Sequence, residues 1–231
     1  MLAQDTLTGA LSPRPATLSD DLRRSTLLTR LTPLQQMIDG FCSILQANNT
    51  TAIVNVSISE VVDKLGAIGK LRSRGGQANA LPLRDELVLA VQTIEPNSKN
   101  EVAVARGVGH LADDLDWYCG ESGPFASVNF DRGHAHAVVL GPEGLEERFD
   151  LRMGVTLMAA YTRFPDHSVS APQVVLALSD AEFWSESDGW QRAQIGSFIV
   201  QPEGPRFAMR CGSRPFLSLW CQLLGSCNDR T

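Results

Sequence analysis

The sequence predicts a mainly β protein in which an all-β barrel follows an α-helical N-terminal segment. Two observations support this prediction. Up to about residue 115, apolar residues recur with the i, i+3, i+4, i+7 spacing of one buried helix face. After Trp117 the chain changes to short apolar or alternating runs separated by turns rich in glycine, proline and aspartate. Such runs are typical of a sandwich or barrel.

The helical half contains apolar stripes that predict helices over about residues 32–47, 59–71, 82–95 and 98–115. Thr32-Pro33 supplies an N-cap and a proline at the first helical position. Ser98 and Glu101 have the spacing of a capping box. A shorter helix is predicted from Ser19 to Leu28, and residues 1–18, rich in Thr, Ser, Pro and Gly, are predicted to be disordered.

The second half contains short runs that predict strands, separated by turn signals such as Gly141-Pro142-Glu143-Gly144. The change of pattern divides the chain into a helical segment over residues 19–115 and a barrel over residues 116–231. We expect the helices to pack on the barrel. The predicted strands are Ser127–Phe130, Ala135–Leu140, Met153–Tyr161, Val174–Leu178, Ala181–Trp184, Phe198–Gln201, Phe207–Arg210 and Phe216–Leu223.

Composition and charge limit the classes of partner. The 231-residue chain has a net charge of −6, which disfavours a nucleic-acid surface. It shows no apolar run near the length of a membrane span and no secretory signal at its start. The five cysteines show no CxxC spacing, which favours free thiols in a reducing compartment. We therefore expect a cytoplasmic protein with no membrane partner.

Two spacings in the barrel half match a known pair of motifs. Gly196, Pro202, Gly204 and Phe207 reproduce Gly-x5-Pro-x-Gly-x2-His, with Phe at the last position. The stretch from His167 through Gln173 to Asp180 keeps the spacing His-x-His-x3-Glu-x6-Gly. These stretches resemble the two cupin motifs. The resemblance implies a cupin (RmlC-like jelly-roll) barrel.

From about Val102 onwards the chain is similar to the cupin-type dimethylsulfoniopropionate lyases. The resemblance implies cleavage of a C–S bond by β-elimination, which gives dimethyl sulfide and acrylate. It also implies a divalent metal held by His, Glu and His, with tyrosines nearby. The resembling stretches include Leu115-Asp116-Trp117, Phe164-Pro165-Asp166-His167, Val174-Val175-Leu176-Ala177-Leu178-Ser179, Pro202-Glu203-Gly204-Pro205 and Pro215-Phe216-Leu217-Ser218-Leu219-Trp220.

Among the metal-ligand positions that the resemblance implies, only His167 keeps its residue type. Val169 replaces the second His of the first motif, Gln173 replaces the Glu, and Phe207 replaces the His of the second motif. The expected tyrosines are replaced by Val175 and Phe164. Val and Phe have no lone pair for a metal, and one His does not hold a catalytic metal ion. We therefore predict no metal cofactor at the usual site and background turnover, with the catalytic residues unknown.

A relocated metal site is the alternative that would restore activity. His134 and His136 are two residues apart, so they share one face of a strand. If that face lines the lumen, they could join His167 and bind a divalent ion such as Zn, Fe or Mn. The alternative interpretation of His-x-His is a solvated strand face.

The resemblance also predicts which side chains line the lumen. We expect His167, Val169 and Val175 to share the inner face, with Phe164 near them and Phe207 opposite across the barrel. Two further sets are candidates for ligand contacts. Arg206 or Arg210 facing inward would suit a carboxylate, and Trp184, Trp190 or Trp220 would suit a sulfonium. Their alternative roles are surface arginines and barrel-core tryptophans.

Two other functions compete with the lyase. The first is a non-catalytic cupin that binds a small molecule or a partner subunit, and a homodimer through the barrel edges or the helical segment would fit it. The second is a DNA-binding regulator, because Ser59–Gly66 resembles the first helix and turn of a helix-turn-helix. Arg72 stands where an apolar residue of the recognition helix is expected, and the acidic charge gives little attraction to phosphate.

Overall fold

The computed structural model describes residues 29–47, 52–72, 79–94 and 98–225. The predicted disordered segment 1–18 and the predicted helix from Ser19 to Leu28 lie outside the described residues. The helices are α1 (Thr32–Ala47), α2 (Ala52–Gly66), α3 (Arg84–Gln92), α4 (Lys99–Leu111) and α5 (Phe130–Gly133).

The four helices predicted in the first half are present with two differences in detail, and one predicted strand of the second half is absent. Helix α2 begins before the predicted Ser59 and ends at Gly66, and Lys70–Leu71 forms a strand. Ser98 occupies the N-cap position of α4, but its side chain makes no capping hydrogen bond, so the capping box is wrong. The run Ser127–Phe130 was predicted as a strand and is instead a turn that leads into α5.

The strands form two sheets. They are β1 (Lys70–Leu71), β2 (Trp117–Tyr118), β3 (His134–Leu140), β4 (Glu146–Glu147), β5 (Leu151–Met158), β6 (His167–Ser168), β7 (Gln173–Ala177), β8 (Ala181–Ser185), β9 (Gly189–Ala193), β10 (Phe198–Gln201), β11 (Arg206–Arg210) and β12 (Phe216–Leu223). The larger sheet has the order β1-β4-β3-β5-β12-β7-β10, with β2 paired to β3. The smaller sheet has the order β6-β11-β8-β9. The prediction of a mainly β fold with preceding helices is confirmed.

The larger sheet is buried on both faces, and alternation along each strand divides its residues. One face packs on the helices: Ala135, Ala137 and Val139 of β3 belong to the same hydrophobic cluster as Leu34 and Phe41 of α1. The helices therefore pack on the barrel. The opposite face and the smaller sheet enclose a second hydrophobic cluster, which we call the lumen cluster: Met158, Val175, Ala177, Ala181, Phe183, Ala193, Met209, Cys211 and Phe216.

The helix-turn-helix hypothesis is contradicted by the chain that follows α2. A recognition helix would have to start shortly after Gly66, but Lys70 and Leu71 pair as a strand with Glu147 and Glu146. The strand pairing fixes this stretch against the barrel, so it cannot form a second helix for the major groove. In the part of the chain that the structure describes, no helix has the length and apolar character needed to cross a membrane.

Candidate ligand site in the barrel lumen

The structure places the two ends of the predicted metal site on neighbouring strands. Phe207 of β11 pairs in register with His167 of β6, so it lies beside His167 and not opposite it across the barrel. Direct pairing puts both side chains on one face. Phe207 is buried and lies two residues before Met209 on β11, so its side chain is on the same face as that of Met209, a member of the lumen cluster. Val169 follows β6, is half-buried and accepts a backbone hydrogen bond from Gly204 N at 3.2 Å.

The next predicted ligand position, Gln173, begins β7. Its Nε2 donates a hydrogen bond to Oε1 of Gln201 at 2.8 Å. Val175, at a tyrosine position of the resemblance, belongs to the lumen cluster and pairs in register with Trp220. The residues at these positions therefore offer one imidazole, one engaged amide and apolar side chains. This set does not fit a divalent metal, which needs about three N, O or S ligands from the protein.

The histidines of β3 are buried on the inner face of the larger sheet. His134 is 0% exposed and His136 is 8% exposed. Both alternate with Ala135 and Ala137, which face the helices. The Phe164 ring lies among the histidines, with ring centroids 5.9 Å from His134, 5.4 Å from His136 and 4.9 Å from His167. The sequence therefore identified three histidines that the fold does bring to one region.

Hydrogen bonds fix the tautomer of His134. Its Nδ1 lies 2.5 Å from the carbonyl oxygen of Phe130, which can only accept a hydrogen bond. Nδ1 therefore carries the proton, and Nε2 accepts a hydrogen bond from Gly120 N at 2.7 Å. Both nitrogens of His134 are engaged, so neither has a free lone pair for a metal ion.

The other two histidines are also held by hydrogen bonds. His136 Nδ1 lies 2.9 Å from Thr156 Oγ1, and His167 Nδ1 donates to the carbonyl oxygen of Pro165 at 3.0 Å. Across the described residues, no three His, Cys, Asp or Glu side chains form a group that could hold a metal ion. The relocated site at His134, His136 and His167 stays a prediction, and the two hydrogen bonds of His134 argue against it. The three rings meet as packed, hydrogen-bonded side chains.

Burial keeps the three histidines neutral near pH 7. It lowers the pKa of His136 to about 3, and the neighbouring charges of His134, His167 and Arg152 act in the same direction. Burial also lowers the pKa of His134 and of His167, against backbone hydrogen bonds that raise each of them. Loss of hydration is the shared cause, because it penalises the charged imidazolium.

The two arginines predicted for the lumen lie elsewhere. Arg206 is exposed and its Nε donates to Glu186 Oε1 at 2.8 Å. Arg210 donates to Glu182 Oε2 at 2.6 Å and stacks on Trp190, with its guanidinium carbon 4.1 Å from the ring centroid. Both alternate with Phe207 and Met209, so they face outward. The prediction that either arginine lines the lumen is wrong for this reason.

The same alternation separates the tryptophans. Trp184 and Trp190 are register partners on β8 and β9, on the outer face where Arg210 covers Trp190. Trp220 of β12 packs against the lumen cluster, and its ring lies directly on Gly154, where no Cβ would fit. A shared aromatic pocket of the three tryptophans is therefore contradicted, and only Trp220 faces the lumen.

Sequence reasoning missed two polar residues on the inner face. Arg152 precedes Gly154 and Thr156 at alternate positions of β5, opposite in direction to Met153 and Val155 of the helix-facing core. Ser218 of β12 pairs in register with Thr156 and is 1% exposed. Arg152 Nε and Ser218 Oγ are buried without a hydrogen-bond partner among the described residues. The alternation of residues along this strand could have placed Arg152 on the inner face. The strand predicted from the sequence begins at Met153, however, so it excludes Arg152.

Comparison with known proteins identifies one family. The family model for dimethylsulfoniopropionate lyase matches residues 56–218, which is more than half of the chain. A structure from "Crystal structures of DMSP lyases RdDddP and RnDddQII" is 16% identical, with 85% of this chain and 95% of that chain covered and a TM-score of 0.64. The DMSP lyase DddQ from Ruegeria pomeroyi DSS-3 is 18% identical, with 85% and 93% covered and a TM-score of 0.56. A search of curated proteins finds no match.

Proposed function

We propose that this chain, which belongs to the dimethylsulfoniopropionate lyase family, is a small-molecule-binding member that does not perform metal-dependent elimination. The family assignment gives the fold and the position of the lumen. The proposal concerns what the residues in that lumen can do.

One observation supports the proposal most directly. The register pairs His167 with Phe207, so the strand position beside the retained imidazole holds a side chain without a lone pair. A second imidazole of this region, His134, uses both nitrogens in hydrogen bonds. Neither the paired His167 and Phe207 nor His134 provides the ligands that a catalytic metal would need.

The elimination makes two demands on a site. A bound divalent metal would supply positive charge to stabilise the carboxylate-derived enediolate, and a base would remove the α-proton. Val175 and Phe164 stand at the two positions where the resemblance implies tyrosines, and neither can accept a proton. His134 uses both ring nitrogens in hydrogen bonds, so its imidazole has no lone pair free to accept the α-proton. We therefore expect turnover of dimethylsulfoniopropionate at background.

The test combines elemental analysis of the purified full chain with headspace detection of dimethyl sulfide, with and without added Zn²⁺, Fe²⁺ or Mn²⁺. We expect substoichiometric metal and background sulfide. His167→Ala is the informative variant, and His110→Ala, an exposed histidine of α4, is the matched control. Stoichiometric metal together with sulfide release that His167→Ala abolishes and His110→Ala preserves would overturn the proposal.

A reconstitution experiment tests the geometry behind the proposal. Cβ atoms of directly paired residues lie about 4.5–5.5 Å apart, so Phe207→His would place a second imidazole beside His167. With Val169→His as a third potential ligand, we expect the double variant to bind Zn²⁺ at least about tenfold more tightly than the unmodified chain. Unchanged Zn²⁺ affinity in a folded double variant would show that the ligand positions have been misassigned.

A further inference from the structure

Three large apolar side chains project into solvent from two loops of the barrel half. Phe125 is 72% exposed, Tyr161 is 71% exposed and Val128 is fully exposed. We call these three residues the loop patch. Single exposed apolar residues are ordinary on a soluble protein, but a contiguous patch of them usually marks a contact surface. The first question is therefore whether the three residues lie together.

Hydrogen bonds pair the two loops in antiparallel fashion. Ser127 N donates to Arg163 O at 3.1 Å, and Asp166 N donates to Pro124 O at 3.1 Å. The guanidinium carbon of Arg163 lies 5.5 Å from the centroid of the Phe125 ring. These contacts hold residues 124–127 against residues 163–166, so the Phe125 side chain has a fixed position beside the second loop.

Asn129 extends the same pairing toward the other two members of the loop patch. Its Nδ2 donates to Thr162 Oγ1 at 3.0 Å. Val128 directly precedes Asn129, and Tyr161 directly precedes Thr162. Val128 and Tyr161 therefore occupy adjacent positions of the paired loops, and the loop patch is contiguous.

Two members of the loop patch have a backbone conformation that their residue types disfavour. The φ angle is 62° at Phe125 and 61° at Tyr161. Glycine or asparagine is the usual residue at such an angle, because the Cβ of a bulky residue crowds the backbone there. Strain of this kind is concentrated at functional positions. The chain thus keeps aromatic rings at two positions where neither solvent exposure nor backbone conformation favours them.

The inner sides of the same loops reach the lumen. The Phe130 ring stacks on His134 with centroids 3.7 Å apart and meets the Phe164 ring edge-on at 5.1 Å. Phe164 also lies among the three histidines described above. A partner on the loop patch would therefore rest on loops that border the lumen.

We propose that the loop patch is the contact surface between two copies of this chain related by a two-fold axis. This inference goes beyond the proposed function, because the surface lies outside the lumen. An aromatic side chain buries about 150–250 Å², so the loop patch supplies on the order of 400 Å² per copy. A stable interface buries about 800 Å² per partner. The exposed residues 121–124 and 131–132 supply a polar rim around this aromatic centre, which is the usual arrangement of an interface.

Charge complementarity favours a second copy over another partner. Asp131 and Arg132 are exposed and follow Val128 by three and four residues. In a two-fold contact, Asp131 of one copy can meet Arg132 of the second copy, and the reverse pair forms at the same time. Arg163 and Asp166 neutralise each other at 2.6 Å within one copy. These four charges cancel at the surface, although the whole chain carries −6.

Sedimentation equilibrium of the full chain from about 1 to 100 µM tests the inference. We expect a mass that rises to twice the monomer mass. Phe125→Asn combined with Tyr161→Asn removes both rings and suits the left-handed backbone, so this double variant should fold at least as stably. It should weaken dimerisation at least about tenfold, because it removes the aromatic centre of the interface. Phe149→Asn, which changes a 69% exposed aromatic outside the loop patch, is the matched control and should leave the dimer unchanged.

A charge exchange tests the two-fold arrangement separately. Arg132→Asp places two adjacent acidic residues on each copy and should weaken dimerisation severalfold. Adding Asp131→Arg restores opposite charges and should recover the affinity. An unchanged dimer in Arg132→Asp, or no recovery in the exchanged variant, would contradict the two-fold contact.

Other results would overturn the inference as a whole. These are a monomer at every concentration, a dimer that the double asparagine variant preserves, and a mass that keeps rising above two copies. Co-sedimentation with phosphatidylglycerol vesicles examines the other apolar partner. Binding of a monomeric chain to these vesicles, lost in the double asparagine variant, would assign the loop patch to lipid and remove the assignment to a second copy.

Discussion

Arg148 and Arg152 lie four residues apart, and their polar contacts differ completely. Arg148 donates from Nε and Nη2 to the carboxylate of Asp150 at 2.9 and 2.7 Å, from Nη2 to the carbonyl of Lys64 at 2.9 Å, and from Nη1 to the carbonyl of Ala67. Arg152 makes none of these contacts and has a buried, unpartnered Nε. The comparison teaches that Arg148 is a structural clamp, whereas the buried Nε of Arg152 lowers the stability of the fold because it has no acceptor.

The clamp joins the helical segment to the barrel. Arg30, just before α1, donates to Glu146 of β4 at 2.7 and 3.0 Å and to the carbonyl of Leu65 at 2.9 Å. Glu146 also accepts from Gly69 N at 2.8 Å. The side chains of Arg30 and Glu146 are each 2% exposed. Charged groups this deeply buried are tolerated because every one of them is paired and hydrogen-bonded.

Glu146→Gln should give the largest loss of stability. It removes the negative charge that Arg30 and Arg148 share, and a buried pair broken on one side typically costs about 3–5 kcal/mol. The free energy of unfolding, measured in denaturant, should fall by that order. The matched control is Glu186→Gln, which breaks the exposed pair with Arg206 and should cost less than about 1 kcal/mol. Equal effects of the two substitutions would remove the clamp interpretation.

A paired substitution compares the two arginines directly. Arg148→Met leaves the carbonyls of Lys64 and Ala67 without their donor and should cost about 2–3 kcal/mol. Arg152→Met removes a donor that has no acceptor, so stability should be unchanged or slightly higher. Denaturant unfolding of both variants measures the difference. A loss of 2 kcal/mol or more in Arg152→Met would show that Arg152 has a structural partner.

The fold was largely predictable because its signals are local. The stripe of α1 and the turn-bounded strands from Phe198 to Leu223 each follow from the period of the apolar residues. The strands β1, β2, β4, β6 and β9 are not predicted from the sequence. The first four have two residues each, which give no period, and β9 has little apolar alternation. Ser127–Phe130 is misassigned as a strand because Val128 is exposed in a turn and Phe130 is buried at the start of α5.

The site was less predictable because it depends on side-chain direction. Phe207 was expected across the barrel from His167, but strand register places them side by side, and register is not visible in one sequence. Arg206 and Arg210 are candidates in the sequence because they flank a motif, whereas Arg152 flanks none. Arg206 and Arg210 each have a hydrogen-bond partner, and the Nε of Arg152 has none. This difference appears only in the folded arrangement.

Acid should destabilise the folded protein through the buried His136. His136 has a folded-state pKa of about 3 and an ordinary unfolded value near 6.5, so below pH 6.5 the unfolded state binds more protons. Stability from His136 is therefore complete above pH 6.5 and is lost as the pH falls toward 3. Between pH 7.5 and 5.5 the loss should be about 1.4 kcal/mol from this residue. Denaturant unfolding at both pH values should show a smaller loss for His136→Gln, and an equal loss would contradict the assignment.

Ser218→Ala should produce the smallest effect, and its sign is the informative part. The Ser218 hydroxyl is buried without a partner, and an unsatisfied buried polar group costs about 1–3 kcal/mol. Removing it should raise the free energy of unfolding by about 1 kcal/mol. The control is Ser179→Ala, since Ser179 Oγ donates to Pro215 O at 3.1 Å and accepts from Leu217 N at 2.8 Å, so its loss should be destabilising. Opposite signs would show that the buried Ser218 hydroxyl lowers the stability of the fold, whereas destabilisation by both would mean that Ser218 is as well hydrogen-bonded as Ser179.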